Sequence, residues 1–221
     1  MNGKNFFTSD RQRRLAALLI SRIPMNFLRI LLYRKICGFQ IHPNAKIGYG
    51  TVITADQVWI GQAEIGKHNL FEGPFSLEIA EGAFIGMKNT FECGQWALEE
   101  RFAESGYLRY CKIGNRALIT FGHYIDTIGG FEIKEKSWIA GRDSQFWTHG
   151  AGVADRSVMI GSDCYIGSAV RFAPGSGVGS RCLVGMCSVV TKRFEEDRLF
   201  IGGFPARIIR SNFDWKNNAE L

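Results

Sequence analysis

The sequence predicts an all-β fold, a parallel β-helix, and three phased columns of residues predict it. Between residues 159 and 193 every sixth residue is apolar: Ile160, Ile166, Phe172, Val178, Val184 and Val190. The residue after each is nearly always small, namely Gly161, Gly167, Ala173, Gly179, Gly185 and Thr191. Three positions further on, Cys164, Val170, Ser176, Cys182 and Ser188 are again small or narrow. An α-helix repeats every 3.6 residues and a plain strand every 2, so neither gives a triple register of six. Hexapeptide repetition is the mark of a coil of short strands joined by tight corners and stacked turn on turn. Large apolar side chains fill its interior, and small residues fit beside the corners.

Residues 1–38 precede the repeat and read as a basic amphipathic helical segment. Ser9 or Asp10 is placed to cap a helix, and Leu15, Leu18, Leu19 and Ile23 recur at three- and four-residue steps. Pro24 interrupts, and Phe27, Leu28, Leu31 and Leu32 continue the apolar face to Cys37-Gly38. No uninterrupted apolar run approaches the ~20 residues of a membrane-spanning helix. Two roles suit residues 9–37: a cap over the open end of the coil, or peripheral attachment to an anionic membrane through arginines and an apolar stripe.

Residues 39–193 carry the coil. Ile41, Ile47 and Ile53 open the rhythm, one-residue slips place Ile60-Gly61 and Ile65-Gly66, and the pattern blurs over 71–94. Residues 93–111 leave the repeat altogether. Trp96, Phe102 and Tyr107 argue against disorder there. The excursion is either a flap along a substrate groove or a decorative loop. Ile113, Ile119 and Ile125 restore the hexads, Ile133 and Ile139 follow a two-residue slip, and Phe146 stands one residue off. Residues 150–157 break the register again, and 194–221 form a C-terminal extension.

The net charge of +6 is unevenly placed. Residues 1–37 hold eight basic residues and one acid, so they carry +7 and the remaining 184 residues −1. A basic footprint confined to one terminal segment, with no recognisable reading element, argues against a nucleic-acid partner. At 221 residues and 46% hydrophobic content the chain suits one globular domain. The six cysteines show no CxxC pair and no zinc-finger spacing. No signal-peptide pattern is present, so reduced thiols and a cytoplasmic chain, peripheral on the inner membrane face if the basic segment docks there, are expected.

From about Ile41 to Arg210 these residues resemble the hexapeptide-repeat acyltransferases. The match is most specific at Cys164-Tyr-Ile-Gly-Ser-Ala169, at Val184-Gly-Met-Cys-Ser-Val-Val-Thr-Lys192, and at Gly203-Phe-Pro-Ala-Arg207, which is similar to the family's G-x-P-A-R/K ending. The arrangement most resembles O-acetyltransferases of surface polysaccharides and sugars, including the maltose/galactoside type. The resemblance implies a left-handed β-helix, a homotrimer with active sites between subunits, acetyl-CoA as co-substrate and a sugar or glycan acceptor.

Moving an acetyl group from a thioester to a sugar hydroxyl requires the hydroxyl proton to be taken during attack. Neutral imidazole, titrating near ~6.5, suits that task. Of the four histidines, His42 opens the coil without a partner, and His68 follows Ile65-Gly66-Lys67 as a turn residue. His123 lies mid-coil and reads as structural or acceptor-binding. His149 ends Phe146-Trp147-Thr148 just before the second register break, where a side chain projects into a groove, as the family's catalytic histidine does. It is the candidate base for a direct transfer, with backbone N–H groups steadying the oxyanion. No G-x-S-x-G-type nucleophile signature points to an acyl-enzyme.

Asp126 resembles an aspartate one coil before that histidine in many sugar-modifying relatives, there to orient the base or bind the acceptor. The separation of 23 residues exceeds the roughly 18 of an ideal three-sided coil. Trp147 is a candidate for stacking on a sugar face. The resemblance also implies acetyl-CoA contacts at Tyr165 (where the family often has Trp), Gly167, Ser168, Ala169 and Ser188, with Lys192, Arg193 or Arg207 meeting phosphates. N-acetylation of an amino sugar on a nucleotide-linked sugar is the alternative, since a histidine base serves both. A zinc-binding carbonic-anhydrase-like β-helix lacks the histidine spacing it needs, so no metal is expected. A non-catalytic β-helix scaffold is the remaining rival.

Overall fold

A computed structural model describes residues 10–150 and 152–218; the cap position Ser9 lies outside the described residues. Short strands, most of two to four residues, take three faces in rotation, so every third strand joins the same sheet. The first face has eight strands, the second nine and the third seven, all parallel until the last pair. Each strand sends one large apolar side chain inward, and successive coils superpose them in register. Ile79, Ile113, Ile133 and Ile160 stack on the first face, Ile85, Ile119, Ile139 and Ile166 on the second, and Phe91, Ile125, Phe146 and Phe172 on the third. All are at most 1% exposed. The third face is rich in rings, with Phe71 stacked on Phe91 at 4.4 Å and Phe146 on Phe172 at 5.1 Å.

The corners explain where the register slips go. Between first and second faces, and again between second and third, tight turns use one residue in the left-handed region, such as Arg116, Lys136 and Asp163, or His68, Lys88 and Ala169. The slip at Phe146 is absorbed in the second corner, by five residues between the strands Trp138–Ile139 and Gln145–Phe146. The long insertions leave from the third corner, which joins the third face to the first. One lies between Thr90–Glu92 and Tyr110–Ile113, the other between Gln145–Phe146 and Val158–Ile160. Gly73 at this corner has φ +117°, and a Cβ there would overlap the carbonyl oxygen of Cys93 one coil on. Gly73→Ala is expected to destabilise the fold by about 1–3 kcal/mol, read as a lowered denaturation midpoint.

The ends of the coil differ from the sequence boundaries. Tyr110 and Cys111 belong to the coil rather than to the 93–111 excursion, because Cys111 is fully buried between Leu77 and Phe131. The coil also continues past residue 193. Strand Phe200–Gly203 pairs in parallel with Leu183–Val184, and Leu199 and Ile201 fill the same interior columns. The chain then reverses into Ala206–Arg210, and Trp215 packs beside Trp138 and Tyr165.

At the other end, helices α1 (Asp10–Ser21) and α2 (Asn26–Ile36) cover the first coil. Ala17, Ile20, Ile30 and Tyr33 are buried against it. An open coil end leaves strand N–H and C=O groups without a neighbour, which is costly away from water. Here side chains stand in for the missing strand. Asn26 donates to the Ala45 carbonyl at 3.0 Å and accepts from the Ile47 N–H at 2.8 Å. The buried Arg29 donates Nε to the Ile47 carbonyl at 3.0 Å. The helical segment is thus a structural cap.

Candidate active site

Asp126 and His149 meet at the third corner. Asp126 ends strand Tyr124–Asp126, and His149 stands three residues beyond Phe146 on the next coil. Their 23-residue separation is a diagonal contact: Ile125 is in register with Phe146, Asp126 lies one residue past the first and His149 three past the second. His149 Nδ1 lies 2.7 Å from Asp126 Oδ2. The same oxygen accepts the Thr148 N–H at 2.7 Å, and Oδ1 accepts the Ile128 N–H at 3.1 Å. Thr148 Oγ1 donates to the Asp126 carbonyl at 3.1 Å and accepts from the Gly129 N–H at 2.9 Å. Asp126 is 1% exposed, so its carboxylate depends on these donors, while the His149 side chain is 35% exposed.

This arrangement fixes the imidazole tautomer. A carboxylate only accepts, so in the neutral ring Nδ1 carries the proton and Nε2 the lone pair. The hydrogen bond to Asp126 raises the His149 pKa above its usual value, against partial burial and the positive charge of Arg156, which lower it. The result is a base held in one orientation with its basic nitrogen turned from the carboxylate.

Aromatic rings wall the site. The 93–109 excursion makes two short 3₁₀ turns, Gln95–Leu98 and Glu100–Phe102, and returns Trp96 edge-on to His149 with centroids 5.7 Å apart. Trp96 packs on Phe102 and Tyr107, and Arg156 from the second insertion lies over Tyr107 at 5.0 Å and donates to the Ser105 carbonyl. The excursion is therefore fastened over the histidine. Trp147 is 6.3 Å from His149 and 4.9 Å from Tyr124, whose hydroxyl reaches Glu92 at 3.4 Å.

His123 is not part of this corner. It lies 2% exposed inside the second corner, in a buried ladder running from Asn69 through Asn89 to Ser144. Its Nδ1 accepts the Ser144 N–H at 3.2 Å, so Nε2 carries the proton and donates to Thr120 Oγ1 at 3.0 Å. Burial lowers its pKa to about 4. Acceptor binding by His123 is thereby corrected to a structural role. Ser188 occupies the same inner column, 1% exposed, and donates Oγ to the Gly185 carbonyl at 2.6 Å, so its side chain does not face a ligand. Arg193 is also corrected: it reaches the Ser157 carbonyl at 3.1 Å and Asp155 at 3.3 Å, bracing the second insertion.

The remaining residues divide between corners. Lys192 lies on the third corner, two coils above His149, and is exposed. Gly167, Ser168 and Ala169 form the second corner, a full face away from His149. Tyr165 lies outward on the second face under Trp215, and Arg207 is exposed on the terminal hairpin. Trp96, Tyr124, Thr148 and Arg156 are site residues without a sequence assignment; only the aromatic content of the excursion hinted at the first.

No protein-family model matches the sequence, and no curated protein matches it by sequence. Solved structures do match. The polySia specific acetyltransferase NeuO is 20% identical, with 82% of this chain aligned to 85% of that one at a TM-score of 0.55. A galactoside acetyltransferase in complex with coenzyme A is 16% identical over 99% of this chain and 90% of its own, at 0.54. The UDP-N-acetylglucosamine O-acyltransferase of Moraxella catarrhalis is 15% identical over 81% and 72%, at 0.52. In fold the chain is a left-handed parallel β-helix, similar to these two acetyltransferases and the acyltransferase.

Proposed function

We propose that the chain transfers an acetyl group from acetyl-CoA to a sugar hydroxyl in surface polysaccharide, with His149 as general base. The observation that carries the reading is the Asp126–His149 pair, 2.7 Å apart and roofed by Trp96. Nε2 takes the hydroxyl proton as the oxygen attacks the thioester carbonyl, forming the new C–O bond. Collapse of the tetrahedral oxyanion breaks the C–S bond, and the imidazolium returns the proton to the departing thiolate. Asp126 keeps the ring in its productive tautomer and favours the imidazolium between the two transfers. Similar folds solved as a polySia specific enzyme and as a galactoside enzyme with coenzyme A support a sugar acceptor and this donor.

Trp147 and Tyr124 offer an aromatic platform beside His149, with Glu92 as a polar neighbour. Sugar faces stack on such rings while carboxylates take their hydroxyls. Trp147→Ala is expected to raise the acceptor KM about tenfold with a smaller change in kcat.

Lys192 shares the His149 corner and suits a phosphate of the coenzyme. Gly167, Ser168 and Ala169 belong to the second corner, so their contribution to the same thioester requires a neighbouring copy, and a homotrimer is part of the proposal. The test is acetyl-CoA consumption across sugars, amino sugars, nucleotide sugars and glycolipids, with product mass read in parallel. An O-acetyl sugar formed together with free coenzyme A is expected. Acetylation confined to amino sugars, or no turnover with any acceptor, would overturn the reading.

A further inference from the structure

The inner sides of α1 and α2 are spent on capping the coil, and their outer sides are apolar. Leu15, Leu18 and Leu19 on α1 are 59, 40 and 64% exposed, and Met25, Phe27 and Leu31 are 47, 68 and 45% exposed. Single exposed apolar residues are ordinary, but these six all fall on one helical hairpin. Leu15, Leu18, Leu19 and Arg22 share one helix face at i, i+3, i+4 and i+7; Phe27, Leu31 and Arg34 share another at i, i+4 and i+7. Arg11, Arg22, Arg34 and Lys35 are exposed around them.

We infer that this face seats on an anionic bilayer surface, its leucines and Phe27 at the acyl boundary and its arginines among headgroup phosphates. The alternatives fit the charge poorly. Residues 11–55 contain no Asp or Glu, so the matching face of a second copy would bring like charge to like charge. Nucleic acid would leave the apolar stripes in water. An interfacial helix joins an apolar face to cationic residues, and each cation near an anionic surface adds affinity.

The face is also close to the candidate site. Arg14 pairs with Glu72 at 2.8 Å, and Glu72, Glu92 and Asp126 are in register on successive strands of the third face. At about 4.8 Å per strand, Asp126 stands roughly 10 Å from that ion pair. Docking would hold the His149 corner near the membrane; this consequence, unlike the docking itself, rests on the acetyl-transfer reading.

The test is co-sedimentation of the full chain with phosphatidylcholine vesicles, with and without phosphatidylglycerol, at low and high salt. Binding to the anionic vesicles alone, weakened by salt, is expected. Leu19→Glu/Phe27→Glu and Arg22→Gln/Arg34→Gln should each lower partitioning at least about tenfold, with circular dichroism unchanged. No binding to anionic vesicles, or binding indifferent to both variants, overturns the inference. So does a fall in molar mass of the Leu19→Glu/Phe27→Glu protein without vesicle binding by the parent, which would assign the face to a second copy. Acetyl-CoA turnover on a soluble acceptor is followed separately, so a parent protein that turns over acetyl-CoA but does not bind anionic vesicles refutes the membrane surface and leaves the chemistry standing.

Discussion

His149→Ala is expected to lower kcat/KM for acetyl transfer by about a hundred- to ten-thousandfold, the usual contribution of a positioned general base. The fold should survive. The side chain is partly exposed, and the Asp126 carboxylate it leaves behind still accepts the Thr148 and Ile128 N–H groups. Steady-state kinetics alongside a thermal melt separate the two effects. Full activity in a folded His149→Ala protein would sink the assignment. The pH profile of the parent is a second check. The base works only when neutral, and its pKa is raised, so the acid limb of kcat/KM should lie above the ordinary histidine value near ~6.5. The same shift has a sign for stability. The protonated ring is the form favoured by folding, so its contribution is fully present below ~6.5 and is lost as pH rises through the raised folded value. With the ring partly exposed, that contribution is small.

Asp126→Asn is expected to cost roughly 10²–10⁴-fold in kcat, because an amide can turn its NH2 toward Nδ1 and so place the ring proton on Nε2. Removing the negative charge should also move the acid limb downward, since the hydrogen bond to Asp126 is the largest cause of the raised pKa. A merely structural role would change stability without moving that limb. Asp126→Ala should add a stability loss of about 1–3 kcal/mol, because two backbone N–H groups and His149 Nδ1 lose their acceptor in a buried place. An unshifted pH profile in Asp126→Asn would show that Asp126 does not tune the base.

The interior was legible because it is local. A hexad repeat states which residue of each six points inward, and Ile160, Ile166 and Phe172 do so without reference to distant residues. The same repeat identifies His123 as interior. It stands two residues before Ile125, as Asn89 does before Phe91 and Ser144 before Phe146, and all three are buried. Ser188, two residues before Val190, obeys the same rule. The correction for His123 and the inward turn of the Ser188 side chain were therefore available from the pattern and were obscured by chemistry-bearing side chains. The bracing role of Arg193 was not, because Asp155 and Ser157 lie in the insertion, which has no period.

Taken alone, the amino-acid sequence determined the coil, its inward columns, the helical segment before it and the two register breaks, and it offered His149 as a candidate base. These follow from spacing along the chain and from which side chain titrates in the useful range. Tertiary structure decided what those pieces do to one another. Both insertions leave from the same corner, which brings Trp96, distant in sequence, against His149 and sets Arg156 over Tyr107 of the loop that carries it. Asp126 reaches His149 diagonally across a coil lengthened at its third and second corners. Six hexads separate the two breaks, so both fall at one corner of a three-sided coil, but the loops have no period to say which of their residues turn back over the site. That choice is made only when the coils stack and set each corner above the last.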